Sequence, residues 1–543
     1  MKYRFKLVSS LEKIFFEMPE SALDHTSGSL LKNEVYSFQL VAWTKEYGKE
    51  CTLCIESEIA DYVKVWEVGY VPSLLPVIPI DDDDDYITKT PGLFPDPLYP
   101  LKNNTLKMIC NQARAYWITI TPDGNMVGKY PIRFKIYDQD KELLQELVFE
   151  AEIINAELPK QKLINTSWFH GDSIATLHDV ELGSEAYWKV LEKYVAIYAK
   201  FGHNMILTPI FTPPLDTAVG SERPTNQLVK VMVQDDAYSF EFSALKRWID
   251  LCHKYEISHF EIAHFYTQWG AKHAPKIMAW VDGEYKKIFG WDTEAVSEEY
   301  RTFLEAFIPA LVGFLKEESV FDNCFFHISD EPGEKDIEQY QAARAQVLPF
   351  IDADQMMDAL SSYQFYEKGI VMNPVVAINH IHTYLEHDVP SLWAYYCVSQ
   401  RKEVANRFMA MPSYRNRILG YQLYKYHIKG FLQWGFNFWF TALSKAVIDP
   451  FKETAAGSTF PSGDPFVVYP LGEDGEVICS LRLYVFREGL QDLRAMELLE
   501  TLTDRETVEN LLTEVQGFKV YPRNTEYIIA LREAINKKIK ENL

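Results

Sequence analysis

CFFHISDEPGEKD, residues 324–336, is an apolar run that stops at two adjacent carboxylates, Asp330 and Glu331, followed by proline and glycine. A buried strand that ends on catalytic groups and then leads into a helix is how a (β/α)8 barrel presents its chemistry. An Asp-Glu dipeptide can equally open a solvated loop, so the flanking sequence has to decide. On both sides it repeats the pattern, with β-rich runs at 163–169, 204–210, 259–265, 324–329, 355–359, 375–379, 392–397 and 431–437. Amphipathic stretches such as SEAYWKVLEKYVAIYAKFG and EEYRTFLEAFIPALVGFLKEE stand between most of them. Eight strands alternating with helices predict a (β/α)8 TIM-type barrel over residues 158–543, ending in a helical C-terminal extension from Leu481.

Upstream, residues 1–157 read differently: short β-rich runs (YRFKLVS, EVYSFQLVAW, ARAYWITITP, ELVFEAEII) separated by turn residues predict an antiparallel β-sandwich. A loop from Pro72 to Leu101 interrupts it, carrying DDDDDY and PGLFPDPLYP. The acids Asp81 to Asp85 lack the spaced oxygen ligands and turn glycine of a calcium loop, so a solvated or site-edge loop is expected. Standing before the barrel, this domain is expected to be its packed structural partner, with PGLFPDPLYP at the rim of the site.

The 77 acidic and 54 basic residues among 543 give a formal charge of −23, which repels phosphate backbones and anionic lipid and argues against nucleic acid as a partner. Aromatic residues make up 14% of the chain, and their flat faces suit sugar rings as well as a core. The start has no apolar stretch of signal-peptide type, and no run of about 18 apolar residues could span a membrane. Seven scattered cysteines predict reduced thiols and a cytoplasmic setting. The lone Cys51/Cys54 pair sits in a strand-like run with no second pair nearby, so no metal is expected.

Read at their carboxyl ends, the strands offer His170 and Asp172 from WFHGD, His264, Gln268 and Trp269 from HFYTQWGAK, and the Asp330–Glu331 pair. Trp393, Tyr395 and Cys397 alternate along LWAYYC, and Trp434, Asn437 and Trp439 come from FLQWGFNFW. There is no glycine-rich phosphate loop and no GxSxG elbow. Each aromatic, histidine or amide has two readings, sugar contact or wall: Trp393, Trp434 and Trp439 can be core, His170 and His264 hydrogen-bonded wall, and Asn437 a partner for buried backbone.

The inventory points to carbohydrate chemistry. Two-carboxylate glycosidases need a second acid across the site, and strands seven and eight supply none, leaving Asp172 and Asp358 as the nearest candidates. A 2-acetamido sugar removes that need by attacking its own anomeric carbon. Then Glu331 protonates the leaving oxygen, Asp330 orients the acetamido N–H and balances its charge, and a tyrosine hydroxyl holds the carbonyl. Repulsion and burial raise the pKa of one member, Glu331 on this assignment.

Several long blocks carry a family resemblance: HISDEP, LWAYYC, RNRILGYQLYKYHIKGFLQWGFNFW, and DPFVVYP followed by SLRLYVFREGLQD, with GHNMILTPIFTP, ERPTNQLV, HFYTQWGAKHAPKI and PGLFPDPLYP upstream. Through them the chain resembles glycoside hydrolase family 123, the β-N-acetylgalactosaminidases. The resemblance implies a β-sandwich before a (β/α)8 barrel and no metal or cofactor. It also implies retaining, substrate-assisted removal of terminal β-linked N-acetylgalactosamine (β-GalNAc) from a glycan, with the catalytic pair carried by Asp330 and Glu331. Tyr395 matches the family tyrosine of strand seven, whereas Ala394 stands where the family more often has an aromatic residue. A related hexosaminidase preferring the gluco epimer, and a barrel that binds sugar without turnover, are the alternatives.

Overall fold

The computed structural model describes residues 2–80 and 82–543; Asp81, the first acid of the DDDDD run, lies outside the described residues. Two sheets form the N-terminal region. One has seven strands, in the order Tyr3–Ser9, Tyr36–Thr44, Arg114–Ile120, Val63–Ser73, Gly92–Pro100, Val477–Ser480 and Val468–Leu471. The other has five, in the order Ser27–Leu31, Leu143–Ile154, Gly128–Tyr137, Lys49–Glu56 and Thr105–Met108. Pairing is antiparallel except between Ser27–Leu31 and Leu143–Ile154. The sheets share a core in which alternate residues such as Phe38, Leu40 and Ile118 meet Phe134, Ile136 and Phe149. Cys51 and Cys54, three apart on one strand, point to opposite faces, which is no geometry for a shared metal.

The stretch expected as a loop from Pro72 to Leu101 is irregular over the described residues 74–80 and 82–91 but ends in a strand. Gly92–Pro100, which holds most of PGLFPDPLYP, pairs with Val63–Ser73 on one side and with Cys479 and Ser480 on the other. Its three prolines hid it, because each lacks the N–H that a ladder uses. Instead of forming a rim loop it takes part in a junction: buried Asp96 accepts from Arg482 Nε at 2.7 Å and Nη2 at 2.9 Å, and from the Tyr469 hydroxyl at 2.5 Å. The acids after Asp81 are fasteners too. Asp82 pairs with Lys89, Asp83 with Arg415, and Asp85 accepts from the Tyr414 hydroxyl.

The catalytic region carries eight buried parallel strands at the places the sequence indicates: Ile164–Ser167, Met205–Thr208, His259–Ile262, Cys324–Phe326, Met357–Leu360, Asn373–Ala377, Trp393–Tyr396 and Gly430–Gln433. They form two sheets, one of five strands in the order first, eighth, seventh, sixth, fifth, the other of the second, third and fourth. A continuous eight-stranded ladder, as a barrel would have, is not formed. Between first and second strands the Asn204 side chain occupies a ladder position, accepting from Asn165 N–H at 2.8 Å, while the Asn204 backbone N–H donates to the Asn165 carbonyl at 3.1 Å. Between fourth and fifth only a parallel bridge from Phe326 to Met356 is made, since the fourth strand is three residues long.

Two hairpins absent from the sequence reading form a separate four-stranded sheet from Lys230–Gln234, Ala237–Glu241, Ile277–Val281 and Glu284–Phe289. Among the helices, Glu185–Lys200, Glu298–Glu317 and Leu481–Leu502 each begin at a serine whose side chain caps a backbone N–H. Helices Tyr414–Lys425 and Leu481–Leu502 cross where Gly420 meets Gly489, and a Cβ on Gly420 would lie 1.9 Å from the Gly489 carbonyl oxygen. Alanine is ordinarily the better helix former, by about 1 kcal/mol. Here Gly420→Ala is expected to destabilise instead, by about 1–3 kcal/mol as two backbones separate, read as a lower Tm in thermal unfolding. An unchanged or raised Tm would show the crossing to be loose.

Candidate active site

A cavity of about 150 Å³ opens at the carboxyl ends of the parallel strands. Trp168 and His170 reach it from the first strand, Asp216 from beyond the second, Gln268 and Trp269 from the third, Asp330 and Glu331 from the fourth, Tyr395 from the seventh and Trp434 from the eighth. Three tryptophans and a tyrosine thus surround two adjacent acids, a lining of flat apolar faces and a few polar groups suited to a sugar.

The pair is held by its backbone. Glu331 has φ +42°, the left-handed region that a long side chain rarely adopts, and Trp269, Gly270 and Ala271 opposite have φ +61°, +113° and +53°. The Trp269 N–H donates to the Asp330 carbonyl at 2.8 Å, so the two turns brace each other. At Gly270 a Cβ would come within 2.7 Å of the Asp336 carboxyl carbon, which together with its φ makes glycine necessary. Glu331 is exposed at the mouth, and its Oε1 accepts from the Tyr395 hydroxyl at 2.6 Å. Tyr395, not Tyr396, therefore faces the pair; Tyr396 is buried with its ring against Phe431.

The surroundings of Asp330 favour its protonated form. Burial pushes its pKa well above the usual range, the Glu331 charge adds to this, and His327 opposes it. Because the folded-state pKa lies above the unfolded value of about 3.9, the stability linked to this group is present below about pH 4 and is lost as pH rises through the folded value. Asp330→Asn, which cannot ionise, is therefore expected to raise Tm at neutral pH, the gain shrinking as the pH falls toward about 4. Thermal unfolding of both proteins across that range checks the sign, and a lower Tm for the variant at neutral pH would contradict it.

Beneath the pair lies a closed polar network. His327 donates from Nδ1 to Asp358 at 2.9 Å and from Nε2 to Glu261 at 2.8 Å, and Glu261 also accepts from Trp168 Nε1 at 2.6 Å. Burial opposes a charge on the ring, but the bonds to Asp358 and Glu261 outweigh it and push its pKa up to about 10. His327 is thus an imidazolium sealed between two carboxylates. His264, Asp358 and His327 lie close enough together to suggest a metal site, but an imidazolium with both nitrogens protonated has no lone pair to offer. His264 stacks on His327 with centroids 4.2 Å apart; burial and that charge keep its pKa far below normal.

The structure brings His170, Trp269, Tyr395, Trp434, Asp330 and Glu331 together and places the remaining candidates behind them. His170 accepts from Arg223 on Nδ1 and donates from Nε2 to the Trp434 carbonyl, both at 3.1 Å. Burial and then Arg223 lower its pKa to about 3, so it is a neutral wall residue. Asn437 joins the His170 backbone at N–H and carbonyl, at 2.9 and 3.0 Å. Trp393 packs edge-on against Phe325, and Trp439 donates to the Val468 carbonyl; neither borders the cavity. Asp172 is held by Arg223 through two bonds of 2.9 Å, and Asp358 by His327, Tyr340 and the Ile328 N–H, so neither is free to act as a nucleophile.

Asp216 was not singled out in the sequence, although it is the acid that ends TPPLD after the second strand. Burial raises its pKa to about 6 against the Leu443 N–H that it accepts at 2.9 Å. Gln268 offers a further acceptor: its amide N–H donates to the Thr217 carbonyl, and its buried Oε1 has no hydrogen-bond partner.

Residues 168–499 match the family model described as "Glycoside hydrolase 123, catalytic domain". No curated protein matches the chain. Among solved structures, the chain is similar to a family 123 glycoside hydrolase from Clostridium perfringens, a structural study of glycolipid glycan hydrolysis, at 15% identity and a TM-score of 0.74, covering 100% of this chain and 97% of that one. A β-glucuronidase from Parabacteroides merdae overlays at 11% identity over 90% of this chain and 54% of its own, but its TM-score of 0.31 is too low to bear on the site. The first likeness is one of fold.

Proposed function

Because the chain belongs to glycoside hydrolase family 123 and is on that ground a glycosidase, we propose that it removes terminal β-linked N-acetylgalactosamine from glycans, with retention and with the substrate's acetamido oxygen as nucleophile. The observation that carries this reading is the cavity's acid inventory. Asp330 and Glu331 stand together with Tyr395 on Glu331, the third cavity acid, Asp216, accepts from the Leu443 N–H, and Asp172 and Asp358 are hydrogen-bonded or ion-paired outside the cavity. The two parallel sheets are read as the parts of one (β/α)8 barrel, a reading supported by the Phe326–Met356 bridge and the Asn165–Asn204 contacts.

The charge on Glu331 disfavours ionisation of its neighbour Asp330. In the free site burial favours the protonated form of Asp330, and Glu331 accepts from the Tyr395 hydroxyl. An acetamido N–H arriving at Asp330 favours its ionised form, and a glycosidic oxygen arriving at Glu331 needs that residue protonated. Binding thus moves the proton to the member that donates it. Tyr395, displaced from Glu331, turns to the acetamido carbonyl. As the C–O bond to the leaving group breaks, Glu331 gives its proton to the departing oxygen while the carbonyl oxygen bonds to C1, forming an oxazolinium whose charge Asp330 balances. Glu331 then takes a proton from the water that reopens the ring, restoring the β-configuration. Acid, counter-charge and nucleophile all come from the pair and the substrate, so the reaction calls for no cofactor.

Trp269, 43% exposed at the mouth, and Trp434 offer faces for the sugar and its aglycone. A glycolipid glycan is a reasonable natural substrate by analogy with the clostridial relative, and no helix among the described residues is long and apolar enough to cross a membrane. The seven free thiols support a cytoplasmic setting. Turnover of aryl β-N-acetylgalactosaminide faster than the gluco epimer tests the substrate. Faster turnover of the gluco sugar overturns that specificity, and no turnover of either would favour a binding protein.

A further inference from the structure

The opposite end of the parallel strands holds a second concavity, of about 470 Å³, where the chain enters the first three strands. Lys160 and Lys162 come from the segment before the first strand, Lys200 from the end of helix Glu185–Lys200, and Arg487 and Arg494 from helix Leu481–Leu502. Glu256 is the one carboxylate among the residues lining it. Five cations against one anion is a local reversal in a chain of formal charge −23. None of the three lysines makes an ion pair or hydrogen bond among the described residues, and Arg494 spends its guanidinium on the Pro159 and Leu158 carbonyls at 2.7 and 3.3 Å.

Arg487 is what makes this more than a basic surface. It is only 7% exposed, and its Nε is sealed from solvent with no hydrogen-bond partner among the described residues. Its guanidinium carbon lies 4.6 Å from the ring centroid of Phe201 and 4.8 Å from that of Tyr484, which fix its plane without using its N–H groups. The neighbouring Glu488 uses Oε2 for Arg417 and Ser10, both at 3.0 Å, and its buried Oε1 makes no hydrogen bond to Arg487 among the described residues. A buried guanidinium ordinarily has an acid or carbonyl on its donors, because an unmatched charge out of water is costly. Arg487 has neither among the described residues, and it borders a concavity lined by three exposed, unpaired lysines.

We propose that this groove is a binding site for a compact tetrahedral oxyanion, a phosphate or sulfate group, with Arg487 as the fixed, planar donor and Lys160 and Lys200 closing over the charge. A guanidinium fork presents parallel N–H groups to two oxygens of such an ion, and the ammonium groups neutralise the rest. The group can arrive as the free ion or as an ester on a sugar. The site is on the far side of the strands from Asp330 and Glu331, so its occupancy is separable from turnover.

Calorimetric titration of the full chain with inorganic phosphate, inorganic sulfate and N-acetylgalactosamine 6-sulfate, at constant ionic strength in sodium chloride, tests this. One saturable site per chain is expected, undiminished in Asp330→Asn. Its affinity should fall about ten- to hundredfold in Arg487→Gln and more modestly in Lys160→Ala combined with Lys200→Ala, where surface lysines are changed and the fold is not at risk. Counting only the binding that Arg487→Gln weakens, which excludes sugar bound in the active-site cavity, tightest binding by the sulfated sugar identifies an ester as the source, and tightest binding by an inorganic ion identifies the free anion. No saturable binding of any of the three overturns the proposal, as does binding that the double lysine variant leaves unchanged.

Discussion

Asp330→Asn is expected to lower kcat/KM on the order of a hundredfold or more, even for an activated aryl β-N-acetylgalactosaminide, the scale on which loss of one transition-state stabiliser is felt. The reason is local. Ring closure puts positive charge on the acetamido nitrogen next to the half-buried Asp330 carboxyl, where a charge acts at lower effective dielectric than in water. Asparagine keeps the shape and loses the charge. Since the same change is expected to stabilise the fold at neutral pH, loss of rate cannot be ascribed to unfolding. Steady-state rates beside the thermal scans make that separation, and a variant within a few-fold of the parent would remove Asp330 from the mechanism.

Glu331→Gln is expected to discriminate between leaving groups. An alcohol or sugar cannot depart without a proton, so such substrates should lose most of their rate, whereas a dinitrophenyl glycoside, whose phenolate leaves unaided, should retain much more of it. The rate ratio between the two substrate classes is the measured quantity. Equal losses in both would indicate that Glu331 shapes the site rather than donating the proton. Glu331 is suited to donation by place: it is the member exposed at the mouth, where an aglycone would leave, and among the described residues its side chain is hydrogen-bonded to the Tyr395 hydroxyl.

Much of this organisation was legible because strand and helix periodicities differ. All eight parallel strands fall where apolar runs alternate with amphipathic helices, and the acid pair falls at the end of the fourth. What escaped was long-range or masked. Gly92–Pro100 carries three prolines and reads as loop, yet it is a strand because neighbours on both sides supply its order. The hairpin at Lys230–Glu241 turns on Asp235 and Asp236, both with positive φ, and that at Ile277–Phe289 on Asp282–Gly283; these turn signals stood in the sequence between alternating residues. Within the site, the tryptophans of strands seven and eight could not be sorted by sequence alone. Trp434 faces the cavity and Trp393 and Trp439 do not, which depends on how neighbouring strands stack. Asp216 lacked any motif, and only the fold brings it to the pair's cavity.

Asp216 is also the residue through which the account is most exposed, because a second carboxylate in the cavity is what a protein nucleophile would require. The most direct test compares kcat/KM for aryl glycosides carrying N-acetyl, N-fluoroacetyl, N-difluoroacetyl and N-trifluoroacetyl groups at C2. Each fluorine withdraws electron density from the carbonyl oxygen while leaving C1 and the leaving group unchanged. If that oxygen attacks C1, the rate is expected to fall steeply and stepwise along the series. A flat series, with the trifluoroacetyl substrate turned over nearly as fast as the acetyl one, would contradict substrate assistance and transfer the nucleophile's role to the protein.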